Sequence, residues 1–186
     1  RPDPDSIFDG VREALSRGDL IFGQLEPCLA SGGTPLPQAR LPMRGAPEGA
    51  AAIARAGFDI ISFATNHCME VLRDNGMSVI GAGKDLAEAR KPVFTRLGET
   101  RIAFLGYNSI LPQDYFATSE RPGCAPLRGL TVYEQIEHDQ PGTPARIHSY
   151  PVEEDLEDIM ADVAAAKAQA DLVMVSLHWG IHFVPA

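Results

Sequence analysis

The feature that most constrains the fold is a series of apolar runs that alternate with helical patterns along the chain. The runs at 19–25, 58–64, 77–80 and 171–177 are rich in Ile, Val, Leu and Phe. Continuous apolar runs of this kind are typical of mainly parallel sheets that helices cover on both faces. We therefore predict an α/β fold, with helices at 6–18, 47–56, 85–90 and 153–170 and a β-hairpin over 92–107.

Two segments interrupt this alternation. Residues 108–149 contain five prolines, which predicts irregular structure with a short strand near 146–150. The stretch that separates the runs at 58–64 and 77–80 is short for a parallel crossover, which takes about a dozen residues or more. We therefore expect a loop and most of a helix to be missing between Glu70 and Val71. We also expect residues 1–186 to be one domain that is incomplete at both ends.

Composition narrows the classes of partner and location. The formal net charge is −9, and the sequence contains no basic stripe, so a nucleic-acid backbone is not the expected partner. Three cysteines without CxxC spacing indicate free thiols. No apolar run is long enough to span a membrane. We expect a cytoplasmic location for this part of the chain, or cell-envelope association if an anchor lies outside it.

Polar residues follow three of the predicted strands directly. Glu26 follows the first run, Asn66 and His67 follow the second, and His178 follows the last. Ligands bind beyond the carboxyl ends of parallel strands, so these side chains are expected to share one rim. Carboxylate, amide oxygen and imidazole groups suit a divalent transition ion or general acid–base chemistry.

Each of these residues also has a purely structural interpretation. Glu26 fits a solvated loop carboxylate, Asn66 fits a helix cap, and His67 fits a structural histidine. His182 lies four residues after His178, but Gly180 and the preceding strand argue against a zinc-binding helix. Arg44 in a Pro/Gly-rich loop is either solvated or binds a substrate carboxylate or phosphate through two parallel hydrogen bonds.

Five blocks in the same order resemble the CapA family of capsule and poly-γ-glutamate synthesis proteins. They are residues 18–26 (GDLIFGQLE), 44–48 (RGAPE), 57–67 (GFDIISFATNH), 81–83 (GAG) with Ala87, Arg90 and Pro92, and 176–180 (SLHWG). The resemblance covers nearly the whole chain. This sequence departs from the family pattern at Gln24 and Thr65, where asparagine is usual. An early Gly-Asp segment and a late Gly-His-x-His segment of the pattern are not found in these residues.

The resemblance implies a fold similar to calcineurin-like metallophosphoesterases, which is an α/β/β/α sandwich of two sheets. It implies that Glu26, Asn66 and His178 are metal ligands, with Mn, Fe or Zn as the ion. It also implies that His67 stands near the leaving group. In addition to what the resemblance implies, His182 is a further candidate for acid–base chemistry, and Arg44 is a candidate for binding the substrate.

Three functions follow as alternatives. The leading hypothesis is a metal-assisted hydrolase or transferase that acts on a phosphoester or on a glutamyl or peptide amide. The second is a metal-independent acid–base enzyme, for example one that epimerises a residue next to a peptide carbonyl. The third is a non-enzymatic component of poly-γ-glutamate synthesis or export. The expected partner is a small molecule, a peptide or polyglutamate.

Overall fold

A computed structural model describes residues 3–32, 43–63, 69–140 and 142–180. The strands are β1 (Phe22–Leu25), β2 (Cys28–Leu29), β3 (Arg44–Gly45), β4 (Ile60–Phe63), β5 (Ser78–Ile80), β6 (Ala82–Gly83), β7 (Val93–Leu97), β8 (Thr100–Asn108), β9 (Gly123–Cys124), β10 (Gly129–Glu134), β11 (Arg146–Pro151) and β12 (Leu172–His178). The α-helices are α1 (Arg12–Leu15), α2 (Glu48–Arg55), α3 (Met69–Asp74), α4 (Leu86–Ala89) and α5 (Glu153–Lys167). Short 3-10 helices lie at Pro4–Phe8 and Gln113–Tyr115.

The apolar runs form two separate three-stranded sheets. The first has the order β1-β4-β5 and is parallel throughout. The second has the order β12-β8-β7, in which β8 and β12 are parallel and β7 and β8 form the predicted antiparallel hairpin. The strands therefore form two sheets and not a single mainly parallel sheet, so that part of the expectation is wrong.

The two sheets pack face to face. Alternate residues of β4, β5 and β8 form one apolar layer between the sheets, made of Ile60, Ile80, Ile102 and Phe104. The opposite face of the first sheet packs on α2 and α3 through Ile53, Leu72, Ile61 and Val79. The opposite face of the second sheet packs on α4 and α5 through Ala89, Ala166, Ala103 and Leu105. This confirms the α/β/β/α sandwich that the family resemblance implies.

Aspartates that precede strands fix the start of the parallel pairing in both sheets. Asp59 accepts a hydrogen bond from the backbone N–H of Ile21 at 2.7 Å. Asp171 accepts one from the backbone N–H of Arg101 at 2.8 Å. The first N–H beside each parallel pair is thereby satisfied, so the same sequence device sets the register of β1 with β4 and of β8 with β12.

Two expectations about local structure are wrong. The first predicted helix is divided into a 3-10 turn and the short α1, and Asp3 caps the turn instead of Ser6. The segment 108–149 contains β9 and β10 and is not irregular throughout, whereas the strand expected near 146–150 is confirmed as part of β11, with which β10 pairs along its whole length. The helix α3 includes Glu70 and Val71; that a loop and most of a helix are missing between these two residues remains a prediction. That residues 1–186 form one domain remains a prediction.

In the described parts of the chain, no helix combines the length and apolar character needed to cross a membrane.

Two glycines bring the backbones of the sheets into contact. A Cβ built on Gly106 in β8 would lie 3.0 Å from the Cα of Gly81 and 3.2 Å from Cγ1 of Ile80. Gly81 follows β5 and has a φ of +80°, a conformation that glycine adopts without strain. The sheets therefore meet at backbone distance where β5 ends.

We predict that Gly106→Ala will destabilise the fold by about 1–3 kcal/mol, because overpacking at this contact pushes the two sheets apart. Urea denaturation measures the free energy of unfolding. Gly129→Ala is the control, because its built Cβ has no neighbour nearer than the Tyr150 carbonyl oxygen at 4.0 Å and should change stability by about 0.5 kcal/mol or less. Equal stability of the two variants would contradict the close contact.

Candidate active site

A shallow cleft with almost no enclosed space lies where strands of both sheets end. Its walls come from the carboxyl ends of β1, β4, β8 and β12 and from the residue that follows β5. The residues that line it are Gln24, Ser62, Phe63, Gly81, Tyr107, Asn108 and His178. Because strands that start in register also end together, the cleft is a direct consequence of the two parallel pairs.

The structure brings Glu26 beside His178, which lines this cleft, although Glu26 is not itself among the lining residues. Nε2 of His178 lies 3.7 Å from Oε1 of Glu26. The side chain of His178 is 23% exposed, and that of Glu26 is 52% exposed. The two residues come from different sheets, so only the face-to-face packing of the sheets places them side by side.

Asn108 is a third member of the site, and the sequence prediction missed it. It is the last residue of β8 and the register partner of His178. Its Nδ2 lies 3.0 Å from Nδ1 of His178. The sequence prediction ended this strand at residue 107 and placed Asn108 in the irregular segment. Placing the end of this strand one residue later would have made Asn108 a candidate, because ligands bind at the carboxyl ends of parallel strands.

The floor of the cleft is made of small polar groups. The Ser176 hydroxyl donates to the Ser62 hydroxyl at 3.1 Å, and this bond joins the two sheets. Gln24 lies beside Ser62 in the register of β1 and β4. The apolar layer between the sheets therefore gives way to hydroxyl and amide groups as the strands approach their ends.

Two residues with reactive side chains near the cleft are held in their neutral forms. The Tyr107 hydroxyl donates to Asp162 on α5 at 2.9 Å, and burial, followed by the charge of Asp162, raises the pKa of Tyr107 above its ordinary value. Burial raises the pKa of the Cys124 thiol to about 12, and this thiol points to the Phe63 carbonyl oxygen. Neither group is therefore a base or a nucleophile at neutral pH.

The other predicted site residues do not all fall within the described structure. Arg44 is exposed on β3, where its register partner is Cys28, two residues beyond Glu26. Within the described ranges, the lining of the cleft does not include Arg44. Asn66, His67 and His182 lie outside the described residues, so their predicted roles remain predictions.

The predicted metal site is represented in the structure by two of its three ligands. Among the residues that the structure describes, no group of three or more His, Cys, Asp or Glu side chains is placed to hold a metal ion. Glu26 and His178 are adjacent, and Asn66 is the ligand outside the described residues. Binding of Mn, Fe or Zn therefore stays a prediction.

Comparison with known proteins relates the chain to capsule synthesis. The capsule biosynthesis protein CapA of Bacillus anthracis is 22% identical over 190 residues, which covers 95% of this chain and 41% of that protein. The PGA biosynthesis protein CapA of Bacillus subtilis (strain 168) is 22% identical over 189 residues, with 95% and 43% covered. A probable polyglutamine synthesis accessory protein of Mycobacterium tuberculosis is 25% identical over 150 residues, with 72% and 34% covered. The chain thus spans less than half the length of these relatives.

Among solved structures, a putative 5'-nucleotidase from Staphylococcus aureus in complex with α-ketoglutarate aligns with a TM-score of 0.41 and 14% identity. The alignment covers 96% of this chain and 31% of that one. The family model described as "Bacterial capsule synthesis protein PGA_cap" matches residues 1–185. The chain therefore belongs to the PGA_cap family of bacterial capsule synthesis proteins.

Proposed function

We propose that this chain carries a metal-independent acid–base site that removes the α-proton next to a carbonyl group of a glutamyl unit. The observation that carries the proposal is the pair formed by Glu26 and His178, whose Oε1 and Nε2 atoms lie 3.7 Å apart, with His178 lining the cleft. The glutamyl substrate is inferred from the relatives, which are named for capsule, PGA and polyglutamine synthesis.

Glu26 is the proposed base. Its half-exposed carboxylate lies at the rim, where a polymer can reach it without entering the protein. It takes the α-proton as the C–H bond breaks, and the electron pair of that bond moves onto the carbonyl oxygen to form an enolate. A proton returned from Glu26, after exchange with solvent, restores the C–H bond, so the step needs no further reactant.

His178 is the proposed hydrogen-bond donor to that oxygen. A neutral imidazole with its hydrogen on Nε2 stabilises the negative charge that develops on the carbonyl oxygen, as donors in an oxyanion hole do. In the proposed complex one glutamyl unit presents its carbonyl oxygen to Nε2 while its α-carbon faces Glu26. Base and donor are therefore both supplied by described residues.

Arg44 is the proposed anchor for a substrate carboxylate. The chain carries a net charge of −9 and repels an anionic polymer as a whole, so binding requires a local cation. Arg44 is exposed. It lies opposite Cys28 in the pairing of β3 with β2, and Cys28 is two residues after Glu26 in the chain. A guanidinium group binds a carboxylate through two parallel hydrogen bonds.

The metal-assisted hydrolase or transferase is the second candidate, because the family pattern implies Glu26, Asn66 and His178 as ligands. A divalent ion held by these residues would act as a Lewis acid. The non-enzymatic alternative is favoured by the word "accessory" in the name of the mycobacterial relative. Measurements of turnover with and without chelator separate all three.

We predict that the purified protein will exchange the α-hydrogens of poly-γ-glutamate or short glutamyl peptides for solvent deuterium in EDTA. Glu26→Gln should lower the exchange rate by about 100-fold or more, since it removes the base. Mass spectrometry of the hydrolysed polymer measures deuterium. Glu120→Gln is the matched control, because Glu120 is exposed on a loop away from the cleft.

Loss of turnover in EDTA with recovery on adding Mn²⁺ or Zn²⁺ would instead support the metal-assisted enzyme. Polymer binding that His178→Ala weakens, without any turnover in the wild-type protein, would support the non-enzymatic role. Both results contradict the proposed acid–base function.

We predict that Arg44→Ala will raise KM for a glutamyl peptide by about 10-fold or more and leave kcat unchanged, because a hydrogen bond to a charged group contributes about 1.5–3 kcal/mol. Arg44→Lys should recover only part of the loss, since lysine lacks the planar fork. Steady-state kinetics measure both constants. Arg96→Ala, on the hairpin of β7 and β8, is the control. A lower kcat at unchanged KM would contradict an anchoring role.

A further inference from the structure

Asn108 is a buried polar residue that the proposed reaction does not itself use. It is only 3% exposed. Its backbone N–H donates to the Ala125 carbonyl at 2.9 Å, and its carbonyl accepts from the Leu127 N–H at 2.8 Å. The side-chain amide lies between two further groups, the backbone N–H of Ile110 and the ring of His178. Hydrogen bonds therefore fix both the backbone and the side-chain amide of Asn108.

The hydrogen bond to Ile110 determines which way the amide faces. Oδ1 of Asn108 accepts from the Ile110 N–H at 3.0 Å. A backbone N–H is only a donor, so the reversed amide would oppose two donors at this contact. The NH₂ group must consequently face Nδ1 of His178, at 3.0 Å.

The direction of the amide in turn determines the tautomer of His178. A ring nitrogen that faces an NH₂ donor has to accept, so Nδ1 carries a lone pair and the neutral ring carries its hydrogen on Nε2. Nε2 is the atom that faces Glu26. We propose that Asn108 is a positioning residue that locks His178 in the Nε2–H tautomer, so that His178 is a fixed hydrogen-bond donor and not a metal ligand.

This inference deepens the proposed function and rests on it for the role of the donor. It also disagrees with the metal-ligand role that the family pattern implies for His178. A metal-binding histidine presents the lone pair of one nitrogen to the ion and donates its other N–H to an acceptor. Here Nδ1 faces a donor, and Nε2 holds the hydrogen. The described surroundings of His178 are thus the reverse of those that a metal requires.

The tautomer is directly measurable by NMR. The purified protein is labelled with ¹⁵N in its histidine rings, and His178→Gln identifies the signals of His178 among the five histidines. For the neutral ring of His178 we expect a protonated, pyrrole-type Nε2 and an unprotonated, pyridine-type Nδ1. A hydrogen on Nδ1 would overturn the proposal. The wild-type spectrum needs no substitution at Asn108, so impaired folding of a variant does not affect this test.

The substitution Asn108→Asp tests whether Asn108 determines the tautomer of His178. A carboxylate in this position accepts from Nδ1, so the hydrogen should move from Nε2 to Nδ1, and α-hydrogen exchange should fall by about 10-fold or more as the donor to the substrate is lost. Asn75→Asp is the matched control, because the Asn75 amide donates to the Val71 carbonyl at the end of α3. A tautomer that stays on Nε2 in Asn108→Asp would overturn the positioning role.

A Zn²⁺ titration gives an independent readout. If His178 is not a ligand, His178→Gln should bind Zn²⁺ as the wild-type protein does, whereas a loss of about 10-fold or more overturns the proposal. The expected tautomer without any α-hydrogen exchange would refute the proposed function alone. Exchange catalysed with the hydrogen on Nδ1 would refute the role of Asn108 alone.

Discussion

The site depends on the apolar contact between the two sheets. Ile60, Ile80, Ile102 and Phe104 form this layer, and side chains alternate along a strand. Residues two positions further along the same faces must therefore also meet. Ser62 and Ser176 do so through their hydroxyl groups, and the next step brings His178 to Glu26. The polar rim is thus the continuation of the hydrophobic layer, and any shift of one sheet over the other would separate the base from the donor.

The segment that follows β8 supports the site although it contains little regular structure. Ala125 and Leu127 bind the backbone of Asn108 from both sides, and β9 pairs with β6 directly after the glycine that contacts the second sheet. The chain leaves the sheet at Asn108, passes through the 3-10 helix Gln113–Tyr115 and β9, and returns to hydrogen-bond the backbone of the same residue. Pro112, Pro122 and Pro126 restrict the backbone of this segment.

Much of this architecture could be predicted from the sequence, because apolar runs and the residues that directly follow them are local patterns. Glu26 and His178 were placed at a shared rim from strand ends alone. Local patterns could not show that the two residues belong to different sheets. A continuous apolar strand has the same sequence pattern whether a helix or a second sheet covers it. β10 was missed because its exposed residues lack a buried face, and Asn108 because a boundary error of one residue removed it from the strand.

Position in a family pattern and chemical role are separate properties of a histidine. The family pattern implies that His178, at a strand end, is a metal ligand, but the role of an imidazole depends on the group at its other nitrogen. In this chain that group is an amide whose orientation is set by a backbone N–H two residues away. Reversing the amide would set its NH₂ group against the Ile110 N–H, which donates to Oδ1 in the structure, and two donors that face each other are unfavourable. In the proposed arrangement this one backbone hydrogen bond favours a donor to a carbonyl over a ligand to a metal, and it does so without any change in the residues that face the substrate.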